Sequence, residues 1–560
     1  VAAAGVVELN EKREARSEKR GCWRLGRILP RPRLVAVCLS LLASPFSLLE
    51  PLSAQDPVQA VTLDRRSIFD PDESSFWLLK LVNRLHITTL PYVIRREILQ
   101  RAGEPYDSAK VAETERNLRR LGVFRSVRVD SATTDSGLVL RVTTRDGWST
   151  RPDFRFRSTG GEVAYTLALI EDNLLGTATQ TSLLYRKNPD RTTTTLAFRQ
   201  PRLIGGRIGI NAAVENRSDG ELAAGTVGQS FFSLGARSSW TIAGDTRTER
   251  VLRFRDGIEQ ATDTLQRRYV LGRVEVARAL RTPTLGYLRV GAVGQLRRDD
   301  FATQVAFDDL GFTTRSVTGS VGGWVEWRRG RYAKVQGFNS LSRDEDLDLS
   351  TVIRGSLFVA PAAFGYAQNG IAPAIAGRTG RGSARGFSLL EWSASGMFTG
   401  DGLDSAGVQV AATAAWIPSP KHLALVYASG GALRGMLPGT EFDLGLGAGP
   451  RAFRQHAFTG DRAYFLTAEY RYGAAVDFLK VMDVGIATFV DHGGAWYHGF
   501  AKRTGWDAGV GLRLGASRAP DLEANRLDLV YRFGNDRESS GWVFVVGKGF
   551  AFSSGLRGGR

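Results

Sequence analysis

Few residues of this 560-residue chain are spaced for making or breaking bonds. The five histidines are His86, His422, His456, His492 and His498, and the closest pair, His492 and His498, does not have a metal-ligand spacing. The only cysteines, Cys22 and Cys38, precede an expected cleavage point at Ala54, so thiolate metal sites and disulfide scaffolds are not expected beyond it. There is no Gly-x-Ser-x-Gly nucleophile elbow and no Gly-x-x-x-x-Gly-Lys-Ser/Thr phosphate loop. No catalytic residue, metal or cofactor is expected, and the chain reads as a non-enzyme. The chemistry on offer is charge pairing. It concentrates in Gly445–Tyr472, whose Gly-rich first half carries Arg451, Phe453, Gly460 and Asp461 without helix or strand periodicity. The second half alternates, with Tyr464, Leu466, Ala468, Tyr470 and Tyr472 on one face and Phe465, Thr467, Glu469 and Arg471 on the other. A strand with lipid outside and a wet lumen inside reads this way. So does a strand of a soluble sheet, and the rest of the chain decides.

The elements that must hold this stretch are mostly strands. The chain has 64 glycines and is 10% aromatic, which suits many strands joined by turns. Its formal charge is +17, but the arginines are scattered through strand-like segments rather than gathered in a patch, so nucleic acid is not an expected partner. Residues 1–54 read as a basic leader and secretory signal peptide: Arg31-Pro32-Arg33, the apolar run Leu34–Leu49, then Leu52-Ser53-Ala54. Residues 55–75 read as a polar linker. Residues 76–150 read as a compact α+β domain that opens with a strand near Phe76–Leu85. Pro91 then starts a helix carrying Val93, Ile94 and Ile98, closed by Gly103. Asp107 or Ser108 caps a second helix with a Val111, Leu118, Leu121 stripe that ends at Gly122, and strands Val123–Val129 and Leu138–Thr144 follow. From Phe154 onward no run is apolar enough for a membrane helix, and short alternating segments continue to Trp542–Phe552.

Several of these segments carry a family likeness. Leu118-x-x-Leu121-Gly122-x-Phe124-x-x-Val127-x-Val129 resembles a POTRA domain of the BamA/TamA outer-membrane assembly superfamily. Ile170–Gly176 resembles that family's entry to the second barrel strand, and Leu196–Leu203 its next hairpin. Gly547, Phe550 and Phe552 resemble its C-terminal strand signal, with residues 553–560 trailing. Arg451-Ala452-Phe453 with Gly460-Asp461 resembles its lumen loop. In that family the loop Arg pairs with a Phe-x-Asp-x-Gly wall motif, which falls here on Phe489, Asp491 and Gly493. Two features bear on that docking. Gly493 would leave room for the loop tip, and Ala452 stands where the family has Gly, which restricts the backbone. Ala384-Arg385-Gly386-Phe387 is a rival tip, disfavoured because five strands are expected after Arg451.

The resemblance implies a POTRA domain followed by an all-β, antiparallel transmembrane β-barrel of about 16 strands over 151–552, in the outer membrane. It implies the lipid bilayer, unfolded outer-membrane or secreted polypeptide clients, and possible envelope assembly subunits as partners, with no ATP or cofactor. Val123, Phe124, Val127 and Val129 mark the expected client-receiving edge. A dedicated secretion pore and a passive anion-favouring channel are the alternatives.

Overall fold

The computed structural model describes residues 56–549 apart from 70–83, 85, 136, 160–161, 204–205, 256–257, 261–263, 304–316, 436–438, 446–447, 518–522 and 536. The leader and signal (1–54), Phe550, Phe552 and the tail 553–560 therefore lie outside the described residues.

The small domain follows its local punctuation. Pro91, which has no N–H to satisfy, opens α1 (Pro91–Glu97). The Asp107 carboxylate caps α2 (Ser108–Arg120) by accepting from the N–H groups of Ala109 at 2.9 Å and Lys110 at 3.2 Å. Gly122, at φ +75°, ends it. Val93, Ile94 and Leu118 pack against Val123, Phe124, Val127 and Val142 of a three-stranded sheet. That sheet contains β1 (Val58–Arg66), β2 (Phe124–Thr134) and β3 (Gly137–Asp146) in the order β1-β3-β2, with β1 parallel and β2 antiparallel to β3. β1 corrects the expectation of a linker over 55–75. Its sequence is only half apolar, and what makes it a strand is a non-local ladder to β3 that no local pattern reports. The strand expected near Phe76–Leu85 falls almost wholly outside the described residues.

The second correction is the barrel's size. Twenty antiparallel strands close into one barrel, rather than about 16. Eleven of them lie between Gly206 and Gly435, where about nine were expected. Segments such as Gly220–Gln229 and Gly370–Ser383 are rich in Gly, Ala and Ser, so their two faces differ too little to announce a strand. The five strands after Arg451 are present, over Arg462–Phe478, Met482–Trp496, Gly505–Ala516, Asn525–Phe533 and Gly541–Lys548. Along the first of these, Leu466 and Tyr470 are more than 40% exposed while Phe465, Thr467 and Glu469 are buried. Outward aliphatics recur around the wall (Leu169, Leu183, Val274, Val325), as a surface facing hydrocarbon requires. The closure is uneven. Among the described residues the last strand pairs with the first, Thr150–Thr159, at Val545 opposite Arg157, whereas it pairs with Asn525–Phe533 at eight positions.

The domain sits against the turns at one end of the barrel, called here the domain end. The Leu90 N–H donates to the Gly176 carbonyl at 2.8 Å, and Arg202 grips Glu97 through Nε and Nη2 at 2.8 and 3.1 Å. The buried Asp146 carboxylate accepts from the Thr89 N–H (2.7 Å) and hydroxyl (3.0 Å), and Asn173 joins the same network through Thr89. Between strands Val317–Arg329 and Thr351–Ala360 the chain makes an extra hairpin, Tyr332–Gln336 with Asp344–Asp348, also at the domain end.

Gly176 has φ +73°, and a Cβ there would stand 2.9 Å from the Thr88 carbonyl. Gly176→Ala should cost about 1–3 kcal/mol at the joint. Limited proteolysis should then release the domain faster while the barrel keeps its heat-modifiable gel mobility.

Candidate lumen site

A guanidinium held out of water needs carboxylates around it, and the barrel wall supplies them. Arg451 is carried by the loop between strands His422–Arg434 and Arg462–Phe478, which folds back into the lumen from the distal end. Its Nε donates to Asp491 Oδ2 at 2.6 Å and its Nη2 to Asp491 Oδ1 at 3.1 Å, a two-pronged pair. Nη1 reaches Glu469 at 3.2 Å and Asp528 at 3.4 Å, and the guanidinium lies over the Phe489 ring, 3.6 Å from its centre.

Neighbouring strands complete the cluster. Arg513 donates to Asp528 at 2.5 Å and bridges Glu469 at 3.3 Å, and Arg471 donates to Glu469 at 2.6 Å. Asp507 lies opposite Asp491 across the ladder and accepts the Ala452 N–H at 2.9 Å. Arg451, Arg471, Arg513 and Arg526 thus face Glu469, Asp491, Asp507 and Asp528, four basic and four acidic side chains, all buried.

Phe453 is fully buried and packs on Phe458, with ring centres 5.0 Å apart. Its space comes from Gly505, where a Cβ would fall 2.3 Å from the Phe453 ring. Gly493 does not make room for the tip as expected, because a Cβ there would meet the Tyr464 carbonyl at 2.6 Å and Phe465 Cα at 3.0 Å. Its role is close strand packing. Gly460 and Asp461 lie away from the cluster: Gly460 abuts the Trp496 backbone, and Asp461 accepts the His498 N–H at 2.8 Å. Ala452 is not among the residues with positive φ, so the missing glycine costs no strain there, and its methyl packs with Phe489, Val530, Val543 and Val545. The rival Arg385 sits in the two-residue turn between Gly370–Ser383 and Gly386–Thr399 at the domain end, far from the lumen loop in the fold. Gly547 lies in the last strand beneath Arg526, whose Nη2 would be 2.5 Å from an added Cβ.

Glu469 and Arg471 lie on the face that the alternation sets opposite Leu466 and Tyr470, whereas no motif read from the sequence marks Asp507, Arg513 or Asp528 as partners. Each sits at an inward position of an alternating strand, and that parity is the signal that would have found them.

At the distal mouth a second tie holds the same loop. His456 bonds Asp443 through Nδ1 at 2.5 Å and Asp190 through Nε2 at 2.9 Å, and stacks on Phe254 with centres 3.8 Å apart. Burial disfavours its charge, but the two carboxylates outweigh that and raise its pKa to about 9.

Of the expected client-edge residues, Val123 precedes β2 and Phe124 and Val127 turn their side chains into the domain core, with Val129 half-buried beside them. What β2 presents outward is backbone, since among the described residues β3 is its only strand partner.

The fold and site together define a POTRA-type domain seated on a large antiparallel barrel with a charged, loop-filled lumen. Residues 86–145 match the POTRA family model, surface antigen variable number repeat. Among solved structures the chain is similar to CdiB from Escherichia coli, at 11% identity and TM-score 0.43, covering 93% of this chain and 98% of that one. It is also similar to BamA from Haemophilus ducreyi lacking POTRA domains 1–3, at 11% identity and TM-score 0.37, covering 88% and 84%. No curated protein sequence matches the chain.

Arg451→Ala leaves buried carboxylates unmatched and should destabilise the barrel by about 3–5 kcal/mol. Arg451→Ala with Asp491→Ala should cost less than the two single changes added, read from urea unfolding in detergent. A second expectation concerns pH. His456 gains its partners in the docked loop, so its stabilisation is complete below the ordinary pKa of 6.5 and is lost as pH rises through about 9. Tryptic cleavage at Arg454 should accelerate over that interval, and His456→Ala should show the fast rate at neutral pH.

Proposed function

We propose that this protein is an outer-membrane barrel that assists the insertion of outer-membrane proteins or the passage of polypeptides across that membrane. In this reading the POTRA domain lies in the periplasm and receives an extended client by strand addition along β2. The observation that carries it is a POTRA domain docked at the barrel's mouth, with the β2 edge of its sheet unpaired by any strand among the described residues. Among the described residues the first and last strands pair at Arg157 and Val545 alone, which supports a seam where a client strand can be templated. The apolar outer wall supports the lipid bilayer as the barrel's surroundings. The docked Arg451 loop supports a filled lumen over a passive anion-favouring channel, because the guanidinium is spent on the wall rather than offered to passing ions.

Refolded protein in liposomes should accelerate the folding of a small unfolded barrel client, read by its heat-modifiable gel shift. Arg451→Ala and a variant lacking the POTRA domain should each lose most of that acceleration. Equal client folding with and without the protein would rule out the insertion reading. Passage of one secreted protein in its place would make this a dedicated secretion pore.

A further inference from the structure

The hairpin Tyr332–Asp348 enters the barrel from the domain end. Phe338, Leu347 and Leu349 are buried against Phe387, Leu389 and Leu425, which point inward from the wall. The tip then crosses the lumen. Ser342 donates to Asp483 Oδ2 at 2.6 Å, the Asn339 carbonyl accepts the Ala524 N–H at 3.1 Å, and the Phe338 carbonyl accepts from Arg471 Nη1 at 2.9 Å. The buried Glu345 carboxylate holds the tip's shape, accepting the Asn339 and Ser340 N–H groups at 2.8 and 2.9 Å. This is a preformed insert with its own core, anchored on both sides of the lumen.

Its outer face is held by the POTRA domain. Arg119 of α2 grips Asp346 through two nitrogens, the Nη2 bond being 2.9 Å, and Arg116 stacks over the Tyr332 ring at 4.0 Å. Arg343 of the hairpin donates to the Arg125 carbonyl of β2 at 2.6 Å, and Arg119 Nη1 reaches the Val127 carbonyl at 3.5 Å. Two arginines that hold the hairpin therefore also occupy carbonyls at the start of β2's open edge. Beside them runs a groove of about 1070 Å³, with β2 on one side and Lys334, Gln336 and Ser342 of the hairpin on the other.

We propose that this hairpin is a resident plug of the barrel, latched by Arg119 and Arg343, and that a polypeptide strand pairing with β2 releases it by taking the Arg125 and Val127 carbonyls. The plug and latch stand on these contacts alone. The release step rests on the reading of β2 as the receiving edge.

The test is single-channel recording of the full-length protein in planar bilayers. Arg119→Ala and Arg343→Ala should each raise the open probability by about tenfold, within the roughly 5- to 150-fold range of couplings between sites. Lys110→Ala, whose partner is Glu104 and which lies outside that groove, should not. In a background with both native cysteines replaced, Ser342→Cys with Asp483→Cys should abolish the Arg119→Ala openings when oxidised and restore them on reduction. Latch variants that gate like wild type, or openings that persist in the oxidised lock, would overturn the plug. An unfolded small barrel client added from the domain side should open the wild type to a similar degree. If the latch variants open and the client does not, the release step falls together with the receiving-edge reading, while failure of the latch variants themselves is a separate result.

Discussion

A guanidinium without water must be matched, and much of this barrel's interior follows from matching Arg451. Its two-pronged bond to Asp491 fixes the loop's angle as well as its depth, since the fork satisfies both carboxylate oxygens in one plane. The match brings its own cost. Asp491 alone would balance the charge, but Glu469 and Asp528 crowd the same wall and are held by Arg471, Arg513 and Arg526, while Asp507 accepts the Ala452 N–H. Such a cluster does not have to add stability over an apolar core of the same volume. What it confers is selectivity for one docked arrangement, because any shift of the loop leaves several buried charges unpaired at once.

Steric room for the docking is placed on the partner strands rather than on the loop. Phe453 lies over Gly505, and the loop's own position 452 carries a methyl inside an apolar niche. A glycine at 452 is therefore dispensable in this chain, since the backbone there keeps negative φ. Among the described residues of this loop, positive φ falls on Gly435, Gly439, Gly445, Gly449 and one non-glycine, His456, which is held there by two carboxylates and a stacked ring.

How much of this could be read beforehand depended on whether the signal was local. The caps at Pro91 and Asp107, the stop at Gly122 and the inward parity of Glu469 and Arg471 are local, and they stand in the structure where the pattern put them. β1 was missed because its partner lies some eighty residues away (Val58 opposite Leu138), and the barrel was undercounted where small residues blur the two faces. The pairing of Arg451 with Asp491 was legible only through a family likeness, because nothing in the spacing of two residues forty apart says that a loop folds back. The hairpin Tyr332–Asp348 was invisible for a related reason. Its buried residues alternate like those of any wall strand, and only the closed barrel shows that they turn inside it.

The two inserts meet on one pair of side chains. Glu469 accepts from Arg451 of the distal loop and from Arg471, and Arg471 in turn donates to the Phe338 carbonyl of the domain-end hairpin. Each insert thus contributes to the electrostatic environment that holds the other, although they enter from opposite ends. The bonds do not compete, because Arg471 donates through Nε to Glu469 Oε1 and through Nη1 to the Phe338 carbonyl, while Arg451 donates to Glu469 Oε2. Both inserts are therefore satisfied at once, and loss of either leaves buried polar groups unmatched on this same pair, where an unmade bond is costly.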